Sequence, residues 1–237
     1  MGSNLIERSA LMSNSSLVSY TRIIPKSNPR TKKISKITIH HMAANATVEQ
    51  CADEFARPER KASSNYGIGS DGRIGLYVDE KNRAWTSSNA ANDNVAVTVE
   101  VANDEIGGDW HVSDKALASL IDLCTDICVR NGIERLNFTG DKNGNLTMHN
   151  YFIATTCPGP YLESKFPYIA NEVNKRLKAN IPKLESGNDI VWELMNGKHK
   201  IEITEVQRAV KALDKAKSNP EFASLYWILY KLVNGNG

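Results

Sequence analysis

A chain of 237 residues has room for one large domain of roughly 150 residues and a smaller one beside it. With 41% hydrophobic and 24% charged residues it has an ordinary globular balance, and no stretch approaches the ~18 consecutive apolar residues of a membrane helix. A net charge of +2 without a lysine/arginine run gives no footing for nucleic acid, and four cysteines in this length are no disulfide scaffold.

Charge is unevenly spread. Residues 1–36 carry seven Lys/Arg against Glu7 alone, a net +6, and are rich in Ser, Asn and Pro. They read as a basic extended arm, which either grips an anionic polymer or stays solvated. The opening shows no basic patch leading into a sustained apolar run. A secretory signal is therefore not expected, and synthesis in the cytoplasm is.

Residues 37–180 sum to −5 and alternate strand and helix patterns. Lys36–His41 and Val95–Val101 are β-branched and alternate in polarity, as strands do. Tyr66–Ser70 and Arg73–Val78 flank Asp71-Gly72, a hairpin signal in which Gly supplies a positive φ. Helices are expected over Thr47–Phe55, Ser113–Arg130 and Tyr161–Ala179. In the second, Ser113 suits the N-cap, and Leu117, Leu120, Ile121, Cys124, Ile127 and Cys128 share one face. Interleaved strands and helices predict an α/β domain with one mixed central β-sheet flanked by helices.

Pro182 and Gly187 break the pattern, which marks residues 181–187 as a linker. Beyond it, residues 188–237 hold helical runs at 190–195, 203–216 and 221–232. They predict a small C-terminal helical domain, a cell-wall-binding or dimerisation unit.

Two strands carry the first chemistry. Side chains alternate faces with period two, so Thr38 and His40 oppose Ile37, Ile39 and His41, while Thr98 and Glu100 oppose Val97, Val99 and Val101. In one sheet the apolar faces lie under helices, and the Thr/His and Thr/Glu faces look onto a polar groove. His40 projects into that groove and His41 packs in the core. Further on, His149 precedes Cys157-Pro158-Gly159-Pro160. Neutral imidazole and thiolate are ligands that zinc prefers, and the eight-residue gap means that the fold would assemble the site. Taken alone, the pair also fits a hydrogen-bonded structural His and a small buried Cys.

Together, I-T-I-H-H-M-A, the Asp71-Gly72 hairpin, V-T-V-E-V-A-N and M-H-x7-C-P-G resemble the zinc-dependent N-acetylmuramoyl-L-alanine amidases. That family includes bacteriophage lysozyme-type amidases and peptidoglycan recognition proteins, and the resemblance spans about Ile37 to Leu177. It implies zinc held by His40, His149 and Cys157 with water in the open fourth position, the mark of a catalytic site. Glu100 matches the acid that some members use beside the zinc water. Two positions depart from the pattern: Ser64 stands where some members have a tyrosine, and Thr155 where they have a lysine. Glu100 then carries the proton work, with Thr155 next in line.

Asn65, Tyr66 and Trp85 are candidates for substrate contact, as is Trp110, although each also suits packing. His111, in the Gly107-Gly108-Asp109 loop, reads as a surface residue, Cys124 and Cys128 as core, Cys51 as unpartnered and His199 as solvated.

The resemblance implies hydrolysis of the amide between muramic acid and L-alanine in peptidoglycan, in the manner of a phage endolysin released onto the wall. A non-catalytic peptidoglycan-binding relative would typically lack the cysteine, and a structural zinc site would need a fourth protein ligand. A recycling amidase would act on soluble muropeptides and gains nothing from an appended unit. No nucleic acid or membrane insertion is expected. For the unit at 188–237, Trp192, Tyr226, Trp227 and Tyr230 supply aromatic rings for a wall polymer or a homodimer seam. Tethering a second site raises effective concentration at a polymer. A chain ending near Asn180 should still cleave soluble muropeptides but sediment with cell walls much less than the full chain. Equal sedimentation with a lower oligomeric mass would identify a dimerisation element instead.

Overall fold

The computed structural model describes residues 14–179. The predicted linker and C-terminal helical unit lie outside the described residues, as do Trp192, His199, Tyr226, Trp227 and Tyr230.

Among the described residues, eight strands and four α-helices build the domain. In chain order they are β1 (Tyr20–Thr21), β2 (Ser27–Pro29), β3 (Lys36–His41), α1 (Val48–Ala56), β4 (Tyr66–Ile68) and β5 (Ile74–Leu76). There follow β6 (Asn82–Ala84), α2 (Ala90–Asp93), β7 (Ala96–Val101), α3 (Asp114–Asn131), β8 (Leu146–Met148), a 3-10 turn (His149–Tyr151) and α4 (Pro160–Ala179). Six strands form the central sheet in the order β1-β5-β4-β7-β3-β8. Only the β4–β5 hairpin is antiparallel, so the sheet is mixed; β2 and β6 pair antiparallel in a separate ribbon.

Local chemistry explains the boundaries. Thr47 and Gln50 close a capping box on α1, each side chain bonding the other's backbone N–H, at 3.2 and 2.8 Å. Ser113 caps α3, and Gly132 ends it with φ +65°. Gly72 takes φ +86° at the tip of the β4–β5 hairpin, as the Asp-Gly pair predicted.

The apolar faces of β3 and β7 are covered as expected. Ile37, Ile39, Val97, Val99 and Val101 are buried in one cluster with Leu120, Cys124, Ile127 and Cys128 of α3 and Phe166, Ile169 and Val173 of α4. A smaller cluster joins Cys51, Ala52 and Phe55 of α1 to Tyr77 and Ile24. The register sets Gly67 opposite Gly75 in the hairpin, and the Tyr77 ring lies over both. A Cβ on either would approach that ring within 2.5 or 2.8 Å.

The predicted basic arm is extended from Asn14 onward and stitched to the domain. β1 pairs with β5 and β2 with β6. Arg30 donates to the carbonyls of Glu80, Asp93 and Asn82. At the arm's start, the Tyr66 hydroxyl accepts from Ser15 N–H and donates to Glu80 at 2.6 Å. Glu80 is wholly buried and takes a two-point bond from Arg130, 3.0 and 2.7 Å. A buried pair broken on one side leaves a charge without its partner, which costs about 3–5 kcal/mol. Glu80→Gln should therefore lower Tm by at least roughly 6 °C in thermal unfolding. Adding Arg130→Met should recover part of that loss.

Candidate active site

The site sits at the carboxyl ends of parallel strands, the position where open α/β sheets present ligand-binding groups. Register puts it there. Ile39 of β3 lies beside Met148 of β8, and His40 lies beside Glu100 of β7. One residue past Met148 the chain leaves the sheet as His149. Three neighbouring strands thus bring His149, His40 and Glu100 into a row.

The His40 and His149 rings are 4.5 Å apart between centroids, tilted by 53°. Cys157 reaches them from the loop before α4, and its Sγ accepts the backbone N–H of His41 at 3.4 Å. The ligating atoms of His40, His149 and Cys157 all lie within 4.8 Å of one another. Nε2 of both His40 and His149 is buried and without a hydrogen-bond partner. Two orphaned nitrogens and a thiol sulfur converging on one point are a donor set that can hold a cation.

The electrostatics agree. Burial pushes the His40 imidazole well below its ordinary pKa, with His149 and His41 adding to it, and burial also lowers His149. Both rings are therefore neutral and able to ligate. Burial raises the Cys157 thiol, as does the Glu100 charge, against the His41 N–H. The Glu100 carboxyl is pushed up to about 8 by burial, with Arg60 pulling the other way. A cation among its neighbours would act in the same sense as Arg60.

Two connected hollows open around this cluster. One, about 580 Å³, is lined by His149, Thr155, Thr156, Cys157, Glu100, Glu59, Arg60, Lys61, Ser63, Thr86 and Ser88. The other, about 560 Å³, runs along α1 past Asn45, Gln50, Cys51 and Glu54. They share His41, Met42, Ala43, Phe55, Arg60 and Glu100, so the groove has two arms meeting at Glu100.

Several predicted site residues fall elsewhere. Asn65 is fully buried, and its amide donates to the carbonyls of Val78 and Asn82. Tyr66 is fully buried, and its hydroxyl is spent on Glu80 and Ser15. Neither faces the groove, which corrects the expectation of substrate contact: the hairpin turns both side chains into the interior. Trp85 is exposed at the domain surface, bonds Asn28 at 2.7 Å, and does not line either hollow. Ser64 is buried as well, donating to the Thr98 carbonyl. Thr155 does line the groove, and its Oγ1 accepts the Cys157 N–H at 3.2 Å.

The strand-face reading needs two corrections. Thr38, Thr98 and Thr147 are wholly buried, not open. They form a polar layer in which Thr38 bonds Thr147 at 2.9 Å and accepts from Asn92 of α2, while Thr98 bonds Thr86 at 2.9 Å. Of the last groups of that face, Glu100 lines the groove, while His40 is buried beside His149 and Cys157. His41 is not core. It ends β3, is partly exposed, and sets its ring edge-on to Trp110 at 5.4 Å. His111 stays apart from the cluster, bonded to Asp104 at 2.7 Å. Arg60, the cation facing Glu100, carries no sequence signal beyond its charge; only the fold reveals it.

Residues 30–160 match the family described as N-acetylmuramoyl-L-alanine amidase. The chain belongs to this family. Solved structures with the amidase family's fold include PlyL, 18% identical, with 65% of this chain and 95% of that one covered and a TM-score of 0.52. The selenomethionine derivative of AmpD is 16% identical over 66% of this chain and 96% of its own, TM-score 0.52. A mutant endolysin from Bacillus subtilis is 17% identical over 65% and 97%, TM-score 0.51. No curated protein matches the chain significantly. Among the described residues no helix is long and apolar enough to cross a membrane.

The donor cluster yields a first test. Elemental analysis of the Cys157→Ser chain should show most bound metal lost, because an alcohol is a poor substitute for thiolate. His41→Ala, which removes no converging donor, should retain it.

Proposed function

We propose that the domain hydrolyses the amide between N-acetylmuramic acid and L-alanine in peptidoglycan, with zinc held by His40, His149 and Cys157. The convergence of these three donors beside Glu100 in a groove of an amidase-family chain carries the reading. Two nitrogens and one sulfur suit borderline-soft zinc, and three protein ligands leave a position open.

An amide resists hydrolysis because its nitrogen donates into the carbonyl, so the reaction needs an activated water and a protonated leaving group. When bound, zinc supplies Lewis acidity that polarises the carbonyl and brings the pKa of water toward ~7. The residues do the rest. Glu100 accepts the proton of the attacking water at its carboxylate and delivers it to the departing nitrogen, an exchange worth ~10²–10⁴ in rate. Arg60 favours the charged form of Glu100, which the water step requires. Thr155 accepts the Cys157 N–H, so its own hydroxyl proton is free to point at the substrate oxygen. The two-armed groove offers one arm to sugar and one to the peptide stem.

An endolysin-type role, acting on the wall after release from the cytoplasm, fits the endolysin neighbours. Residues 188–237 enter the same proposal as a unit for cell-wall binding or homodimerisation.

Purified chain should release muropeptide amines from cell walls and lose that activity to a chelator. Glu100→Gln keeps the shape but removes the base. Zinc content should persist while turnover falls by ~10²-fold or more. Turnover near the parent level would move the proton role away from Glu100.

A further inference from the structure

The groove wall opposite the strand ends is the loop between α1 and β4, where Glu59, Arg60, Lys61 and Ala62 line the larger hollow. Glu59, Arg60 and Lys61 are exposed. Such a loop needs anchors to present Arg60 reproducibly. Both ends of it are held by one residue of the N-terminal arm.

Helix α1 ends without the usual devices. No basic residue lies in its last turn, and its C-cap, Arg57, has φ −54° and ψ 131° where a left-handed residue commonly stands. The last carbonyls of a helix lack internal partners and carry its negative dipole end. Lys26 meets that need from outside. Its Nζ donates to the carbonyls of Phe55 at 2.7 Å and Arg57 at 2.5 Å. At the other end of the loop, the buried Ser63 donates its hydroxyl to the Lys26 carbonyl at 2.5 Å and accepts the Trp85 N–H at 3.0 Å.

Lys26 is itself fixed from both sides. Ile24 N–H donates to the Tyr77 carbonyl at 2.8 Å just before it, and β2 begins at Ser27 just after it. Ile24 is buried against Cys51, Ala52, Phe55 and Tyr77, and Arg22 pairs with Asp53 of α1. The amidase match begins at residue 30, so this clamp comes from a segment ahead of the matched span.

We propose that Lys26 is a positioning residue for the substrate: it clamps both ends of the loop at 57–63 and so sets the groove wall that carries Arg60. This rests on the groove being the amidase site. The wall contacts substrate, which appears in KM, and it carries the cation facing Glu100, so the chemical step feels its position as well, which appears in kcat.

The test uses full-length Lys26→Met, which keeps the aliphatic stem and removes the ammonium. kcat/KM for a soluble muropeptide should fall roughly ten-fold, through a rise in KM together with a smaller fall in kcat. Tryptic cleavage after Arg60 and Lys61 should accelerate severalfold relative to other sites, and Lys26→Arg should restore both quantities. Should Lys26→Met fail to fold, Ser63→Ala opens only the other end of the loop and reads the same two quantities. Unchanged cleavage, or faster cleavage with unchanged kcat/KM, would each overturn the clamp. A parent chain that hydrolyses nothing would instead overturn the amidase reading and the positioning role with it.

Discussion

Everything at the site depends on the register of three parallel strands. Ile39 beside Met148 and His40 beside Glu100 are backbone pairings, set by the ladders of β3 with β8 and β7. A slip of one residue would turn His40 to the opposite face and bury the apolar set wrongly. The large core under α3 and α4 therefore does more than stabilise the domain. By fixing Ile37, Ile39, Val97 and Val99 on one side, it decides which imidazole and which carboxylate meet on the other.

Beneath the row of His149, His40 and Glu100 lies a second constraint, the buried layer of Thr38, Thr98, Thr147, Asn65, Thr86 and Asn92. Most of its hydroxyls and amide groups bond one another and the backbone, while Asn92 Oδ1 has no hydrogen-bond partner. Such a network is costly when a member is missing, and it holds strand positions more tightly than apolar packing alone. The orphaned nitrogens of His40 and His149 stand out against this background. The hydroxyls of Thr38, Thr98 and Thr147 below them all have partners, and it is the convergence of the two nitrogens with the Cys157 sulfur that points to a ligand.

Much of this was legible in the sequence. The strand at Lys36–His41 has the predicted bounds, and β7 and the three long helices agree to within a residue or two, because their periodic patterns are long. The opposition of His40 and Glu100 to the valines and isoleucines followed from alternation, and the gathering of His40, His149 and Cys157 was implied by the amidase resemblance. The misses have physical causes. β1, β2, β6, β8 and α2 are two to four residues long, too short for any period to register. The threonine face looked like a groove because alternation tells sides apart but not what covers them, and α2, four residues long, covers this one. Asn65 and Tyr66 sat near the hairpin in sequence, yet their partners, Val78, Asn82, Glu80 and Ser15, pull both inward. No local pattern announces a partner 51 residues away.

The same distance argument changes the meaning of the basic arm. Its charge suggested attraction to a polymer, but three of its described cations are already bonded to the domain. Arg22 pairs with Asp53, Lys26 holds two carbonyls and Arg30 holds three. Cations bound to backbone carbonyls or a carboxylate are poorly placed to release counterions to an external polyanion, so composition overstates the surface charge that a partner would meet. The arm's positive charge serves instead to close peptide-carbonyl ends: the C-terminus of α1 at Lys26, and the turns around Glu80, Asn82 and Asp93 at Arg30. A segment that composition marks as a tail thus belongs to the same folding unit as the groove, and the groove's outer wall inherits its rigidity from there.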